Sequence, residues 1–278
     1  MRRRAKTLAI IAVLLVSGSG PAMASCEEES FCVEELQQGG NVELRARNLR
    51  EFPITYTLRV RTSDLVVDGP KTVTSTLEPN GSERIMLLNR NSDRSTAKYR
   101  YSFDWTVGDK DAVHDDDYLY AMPYESGRSY RVIQGYGSRF SHTGLEAFAI
   151  DFDMKTGTPV HAARGGVVAR IEESHDKGCW EDGCGKYANY IVILHSDGTT
   201  GEYYHLMKDG VLVEIGDAIV RGQKIGYSGN TGHTTMPHLH FAVYRASSWG
   251  ETQSIPVRFQ IADRIIDRPR RGARYQAL

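Results

Sequence analysis

Nine histidines punctuate the 278-residue sequence, and eight of them fall between His142 and His240. Imidazole is a common metal ligand and the side chain that exchanges protons near neutral pH. The clustering therefore marks where chemistry should be sought. His238-Leu239-His240 is an H-x-H flanked by Pro237 and Phe241. Positions i and i+2 of a strand point to one face, so the two rings can share a metal, or one can bind it while the other acts on a substrate. Taken alone, the motif is equally a surface pair. Upstream, Ser141-His142-Thr143-Gly144 precedes Ala149-Ile150-Asp151-Phe152. His142, Asp151 and one later histidine make a two-histidine, one-carboxylate set. Such a set leaves a coordination position open for water, as a catalytic zinc site requires. It is also the facial triad of non-haem iron oxygenases. Tyr203-Tyr204-His205-Leu206 adds an imidazole at the end of a strand pattern. The small-residue loop Gly226-Tyr227-Ser228-Gly229-Asn230-Thr231-Gly232 is expected to let a substrate backbone approach closely. There is no H-E-x-x-H, so the helix-borne metalloprotease site with a glutamate base is absent. No G-x-S-x-G is present either, which weakens a serine mechanism.

The elements that must position these groups read as strands. Gly166–Ile171, Tyr190–Leu194 and His240–Tyr244 are apolar runs of strand length, and no 3.6-residue period lasts more than two turns. A mostly antiparallel β unit with long loops is expected over residues 122–262. Before it, Ile54, Tyr56, Leu58 and Val60 alternate with polar residues, as do Tyr99, Tyr101, Phe103 and Trp105. With Glu78-Pro79-Asn80-Gly81-Ser82 as a turn cluster, short alternating strands predict a small β-sandwich over residues 25–121. That unit shows no catalytic constellation and reads as a packing or interaction domain whose protein partner is unknown. Residues 263–278 carry several arginines and few apolar side chains and read as a mobile tail. Of the other histidines, His161 reads as a strand residue, while His175, His195 and His233 lie in or beside turns and are expected mostly to face solvent.

Residues 1–24 read as a secretory signal peptide: Arg2, Arg3, Arg4 and Lys6, then apolar Leu8 to Val16, then Ala22-Met23-Ala24. Nine apolar residues are about half the ~20 needed to span a bilayer, so no transmembrane helix is expected in the mature chain. The four cysteines agree with export. Local pairing of Cys26 with Cys32 and of Cys179 with Cys184 is the simplest of three connectivities and suits an oxidising compartment. Lys+Arg number 34 against 35 Asp+Glu. A nucleic-acid protein would usually show a basic excess, so no nucleic-acid partner is expected.

The stretch from Arg131 to Arg245 resembles the lysostaphin-type (LytM-like) zinc metallo-endopeptidases. The resemblance rests on six blocks in order: His142-Thr143-Gly144, Asp151-Phe152 with Gly157-Thr158-Pro159-Val160 and Ala162-Ala163, Gly165–Val168, Tyr203–Leu206, Gly226–Gly232 and Pro237–Phe241. It implies an antiparallel β lysostaphin-like peptidase domain behind the N-terminal sandwich. It implies one zinc ion held by His142, Asp151 and His240, with His205 and His238 as catalytic histidines and Tyr203 near the substrate. The reaction it implies is hydrolysis of peptide cross-links in bacterial peptidoglycan, with zinc-bound water as nucleophile, in the periplasm or cell envelope or after secretion. One departure stands out. The family pattern is His-x3-Asp, whereas eight residues separate His142 from Asp151, and Glu146 sits at the commoner spacing. Asp151 is preferred because Asp-Phe followed by Gly-Thr-Pro-Val sets the register from the C-terminal side. The alternative function is a catalytically silent relative that regulates a cell-wall amidase.

Overall fold

The computed structural model describes residues 8–13, 23–90 and 97–278. Strands dominate, as β-branched and aromatic side chains in alternating runs favour. The helical pieces among the described residues are three short 3-10 segments, Gly144–Glu146, Cys184–Tyr187 and Ser248–Gly250. The chain divides into two units, Asp111–Arg245 with Thr252–Leu278, and Arg4–Lys110 with Ala246–Glu251.

In the N-terminal unit, strand Ile54–Ser63 lies between Thr72–Leu77 and Lys98–Val107, all antiparallel. A second sheet runs in the order Met23–Glu27, Phe31–Gln38, Asn41–Asn48, Ser82–Arg90, Leu65–Val67. Phe31 of this sheet stacks on Tyr56 of the first at 5.0 Å and tilts against Phe103 at 5.4 Å. The buried Glu35 carboxylate accepts hydrogen bonds from the Tyr99 and Tyr101 hydroxyls, satisfying a charge that burial would otherwise make costly. A disulfide joins Cys26 to Cys32. The segment Ala246–Glu251 belongs with this unit, where the Trp249 N–H donates to Thr57 Oγ1 and Arg59 lies 4.7 Å over the Trp249 ring. Leu8–Val13 of the leader-like stretch runs antiparallel to Lys98–Val107. The basic start of that stretch and Ala22 lie outside the described residues.

The C-terminal unit is built on a nine-stranded sheet. Its centre runs Gly166–Glu172, Tyr190–Leu194, Thr200–Tyr204, Leu239–Ala246, Ile150–Phe152, Ser129–Gln134, each antiparallel to the next. Alternation sends Ile150, Phe152, Tyr203, Leu239, Phe241 and Val243 into one apolar core. The intervening residues, Asp151, Tyr204 and His240, fall on the opposite face. Residues 263–278 are not a mobile tail. Ile265–Ile266 pairs with Arg258–Gln260, and Arg274–Gln276 pairs with Ser129–Gln134. Tyr275 and Ala277 bury in the core, and the Tyr124 hydroxyl donates to the Tyr275 carbonyl at 2.6 Å. Their alternation with Arg274 and Gln276 is the signal that the arginines hid.

Candidate active site

Asp151 and His240 face each other in register on adjacent strands. Asp151 Oδ1 lies 2.9 Å from His240 Nδ1 and 3.2 Å from His142 Nε2. His142 reaches in from the loop after Ser129–Gln134, and its Nδ1–H donates to the Gly135 carbonyl at 3.3 Å. That orientation turns Nε2 inward, where it is buried with no hydrogen-bond partner. A Cβ on Gly135 would come within 2.3 Å of the Pro269 carbonyl oxygen, so only glycine lets this loop sit against residues 269–271. One ligand atom from each of His142, Asp151 and His240 lies within 4.8 Å of the others, and all three residues are buried. A buried carboxylate oxygen and two imidazole nitrogens converging on one point fit a cation of the zinc type.

Burial alone would raise the Asp151 pKa, but the close approach of the His142 ring, the hydrogen bond with His240 and charge at His240 and His238 hold it well below the usual range. Burial would lower His240, yet Asp151 and Glu146 push it up to about 9. The second Asp151 oxygen, Oδ2, accepts from Gln134 Nε2 at 2.7 Å. Gln134 is in turn held by Ser138, whose hydroxyl donates to its Oε1 at 3.0 Å. A lone glutamine carries no sequence signature, so Gln134 went unseen in the sequence.

His205 and His238 stand beside this set, with ring centroids 4.5 Å apart. His205 Nδ1–H donates to the Thr231 carbonyl at 2.7 Å, and His238 Nδ1–H to the Met236 carbonyl at 2.8 Å. Each tautomer is thereby set with the lone pair on Nε2. The His205 backbone is left-handed, with φ of 67°, a conformation that costs energy for a non-glycine residue and concentrates at functional positions. Burial, then the His238 and His240 charges, push the His205 pKa well below its ordinary value. Burial likewise lowers His238, against the opposing pull of Asp151.

Three expectations need correction. Tyr203 is fully buried, and its hydroxyl accepts the Ala163 N–H at 2.8 Å. Its register partner is Phe241, on the core face, whereas Tyr204 pairs with His240. Tyr203 therefore offers no surface to a substrate. The glycine loop 226–232 admits the chain's own backbone. A Cβ on Gly229 would lie 2.4 Å from the Met207 nitrogen, and one on Gly232 2.7 Å from the Ala188 Cα. His195, expected to face solvent, is buried. Its Nδ1 pairs with Thr199 Oγ1 at 3.0 Å, and the Tyr120 ring covers it edge-on.

The site opens into a cleft of about 320 Å³. Along one side, Trp180 is stacked on His233 at 4.1 Å and on Phe140 at 5.1 Å. The Cys179–Cys184 disulfide closes the loop carrying Trp180, and Gly178–Cys179 pairs in parallel with Gly232–His233. Met236 and Arg271 complete the rim.

Residues 146–253 match the model of peptidase family M23. Over that stretch the chain is similar to the M23 peptidases. The M23 match takes in Asp151, His205, His238 and His240, while His142 stands just before it. Among relatives, the peptidoglycan DD-endopeptidase ShyA of Vibrio cholerae is 42% identical over 91 residues, which are 33% of this chain and 18% of that protein. Lysostaphin of Staphylococcus simulans is 32% identical over 150 residues, 53% of this chain and 27% of its own length. Among solved structures, the lysostaphin catalytic domain aligns at 32% identity and a TM-score of 0.35, over 45% of this chain and 88% of that one. The chain spans only 18–34% of the length of the first curated relatives it matches.

Proposed function

We propose that this protein is an exported zinc endopeptidase that hydrolyses peptide cross-links in bacterial peptidoglycan. The observation that carries the reading is the convergence of His142 Nε2, Asp151 Oδ1 and His240 Nδ1 beside two further imidazoles. The names of ShyA and lysostaphin support peptidoglycan as the substrate class. The leader-like residues 1–24 and the two disulfides support export to the periplasm or envelope.

His142, Asp151 and His240 would hold the cation. When bound, zinc supplies a Lewis acid that polarises a carbonyl and acidifies water. The chain's own groups do the rest. His205 and His238 both present Nε2 with its lone pair to the site. The low His205 pKa keeps that ring neutral and able to take a proton from the attacking water at Nε2. His238 would stand as the second imidazole beside the oxygen on which charge develops, and would donate at Nε2 only after taking up a proton from solvent. Gln134 holds Asp151 Oδ2 so that Oδ1 stays turned inward. The apolar stack of Phe140, Trp180 and His233 gives a bound peptide a fixed wall.

Digestion of purified peptidoglycan by the mature chain, read by mass spectrometry of the muropeptides, tests the reading. Loss of cross-linked dimers, abolished by chelation, restored by zinc and absent in His240→Ala, is the expected result. Intact cross-links together with no bound zinc would overturn it and return the regulator of a wall amidase.

A further inference from the structure

We propose that Glu146 is a positioning residue for the His240 ring, acting through the Tyr244 hydroxyl, and that the long loop between His142 and Asp151 exists to deliver it. The proposal rests on the metal reading of the site above. The loop closes with the 3-10 turn Gly144–Glu146, which directs the Glu146 side chain toward strand Leu239–Ala246. On that strand His240, Ala242 and Tyr244 share a face. The small Ala242 side chain, itself buried, leaves room between the two rings. The Tyr244 oxygen stands 3.2 Å from His240 Nε2, and its hydroxyl donates to Glu146 Oε2 at 2.6 Å. Glu146 Oε2 itself lies 3.7 Å from His240 Nε2.

Proton accounting gives the direction of this relay. A tyrosine hydroxyl has one proton and spare lone pairs. That proton is committed to the carboxylate, so the oxygen can only accept from His240 Nε2–H. A ring carrying its proton on Nε2 has its lone pair on Nδ1. Nδ1 is the nitrogen that faces Asp151 Oδ1 at 2.9 Å. Without the relay, the proton would move to Nδ1 to satisfy Asp151, and the ring would present N–H where a cation needs a lone pair. Glu146 thus sits at the family's usual carboxylate spacing but on the far side of His240. It sets which nitrogen the ring offers instead of offering an oxygen itself. Partners of this kind behind a ligating histidine change metal affinity by ~10–100-fold.

The test uses the full mature chain stripped of metal, with Glu146→Gln, Tyr244→Phe and the double variant. Zinc affinity is measured by competition with a chromophoric chelator, and the His240 tautomer by nitrogen-15 NMR of the metal-free imidazoles above about pH 9, where the ring is neutral. Each single variant is expected to bind zinc ~10–100-fold more weakly. The double variant should be no weaker than the worse single, because the two groups act in one chain. The wild-type His240 ring should carry its proton on Nε2 and lose that preference in both singles. Unchanged zinc affinity in both variants, or an unchanged tautomer, overturns the proposal. A wild-type chain that takes up no zinc defeats the metal reading instead, and the tautomer comparison still decides the role of Glu146. A purely structural role would lower the unfolding temperature of the metal-free variants without moving the tautomer, and would also overturn it.

Discussion

Asp151 and His240 stand directly opposite each other on neighbouring antiparallel strands, with Oδ1 2.9 Å from Nδ1 across a sequence separation of 89 residues. Strand register alone makes this pair, because one-residue slippage of either strand would turn its own member of the pair toward the apolar core. His142 then needs only to fold over from a neighbouring loop.

Removing either member should therefore abolish metal binding and not merely weaken it. Asp151→Asn and His240→Ala are expected to lose zinc by more than the ~10–100-fold typical of supporting residues. Equilibrium dialysis against buffered zinc checks this. A variant that retains wild-type zinc affinity would show that its residue is no ligand.

Gln134→Ala takes away the donor to Asp151 Oδ2. A buried acceptor left unpaired costs about 1–3 kcal/mol, and the freed carboxylate can rotate. Lower stability in urea and a drop in zinc affinity are both expected. Crystallography of the variant should show Asp151 turned from its present rotamer.

Tyr203→Phe separates a core role from a substrate role. The hydroxyl pairs with the Ala163 N–H inside the core, so its loss should cost about 1–3 kcal/mol of stability. KM should not change. A raised KM at unchanged stability would restore Tyr203 to the cleft.

Trp180→Ala removes the middle of the aromatic stack. Aromatic pairs contribute about 0.5–1.5 kcal/mol each beyond their buried area. If the stack is a wall for bound peptide, KM should rise several-fold on the order of one such pair, with zinc affinity and kcat near wild type. Steady-state kinetics on a soluble cross-linked muropeptide measures the split.

His195 should shape the acid limb of stability. Burial, then the Arg164 charge, lower its pKa from 6.5 to about 3. The unfolded chain takes up a proton below pH 6.5 while the folded chain does not. This contribution is thus complete above about pH 6.5 and is lost progressively as pH falls toward 3, with a slope of at most about 1.4 kcal/mol per pH unit. His195→Gln should flatten the urea-midpoint profile across that window. An unaltered profile would mean the ring is protonated when folded.

Much of the site was legible because period-two alternation and short motifs encode it locally. His238-Leu239-His240 announces two rings on one face, and Gly-Thr-Pro-Val after Asp151-Phe152 points to Asp151 over Glu146, which the observed grouping of His142, Asp151 and His240 matches. The two local disulfides were also readable from spacing and compartment. What escaped depends on long-range register. Tyr203 and Tyr204 are neighbours of one type, and only the pairing with Phe241 and His240 says which enters the core. The Arg-rich C-terminus hides Tyr275, whose burial requires strand Ser129–Gln134, about 140 residues earlier in the chain. His195 sits in a turn sequence, and nothing local reveals that Tyr120 lies over it.

The convergence of the ligand set also carries a timetable. His142, Asp151 and His240 meet only after the strand Ile150–Phe152 has docked on Leu239–Ala246, so an unfolded chain holds no preformed binding site. A chain that crosses a membrane unfolded would travel without its metal. It would load at its destination, drawing on the zinc available there and not on the supply where it was synthesised. The last step in becoming an enzyme would then be the pairing of two strands, and activity would begin only beyond the membrane.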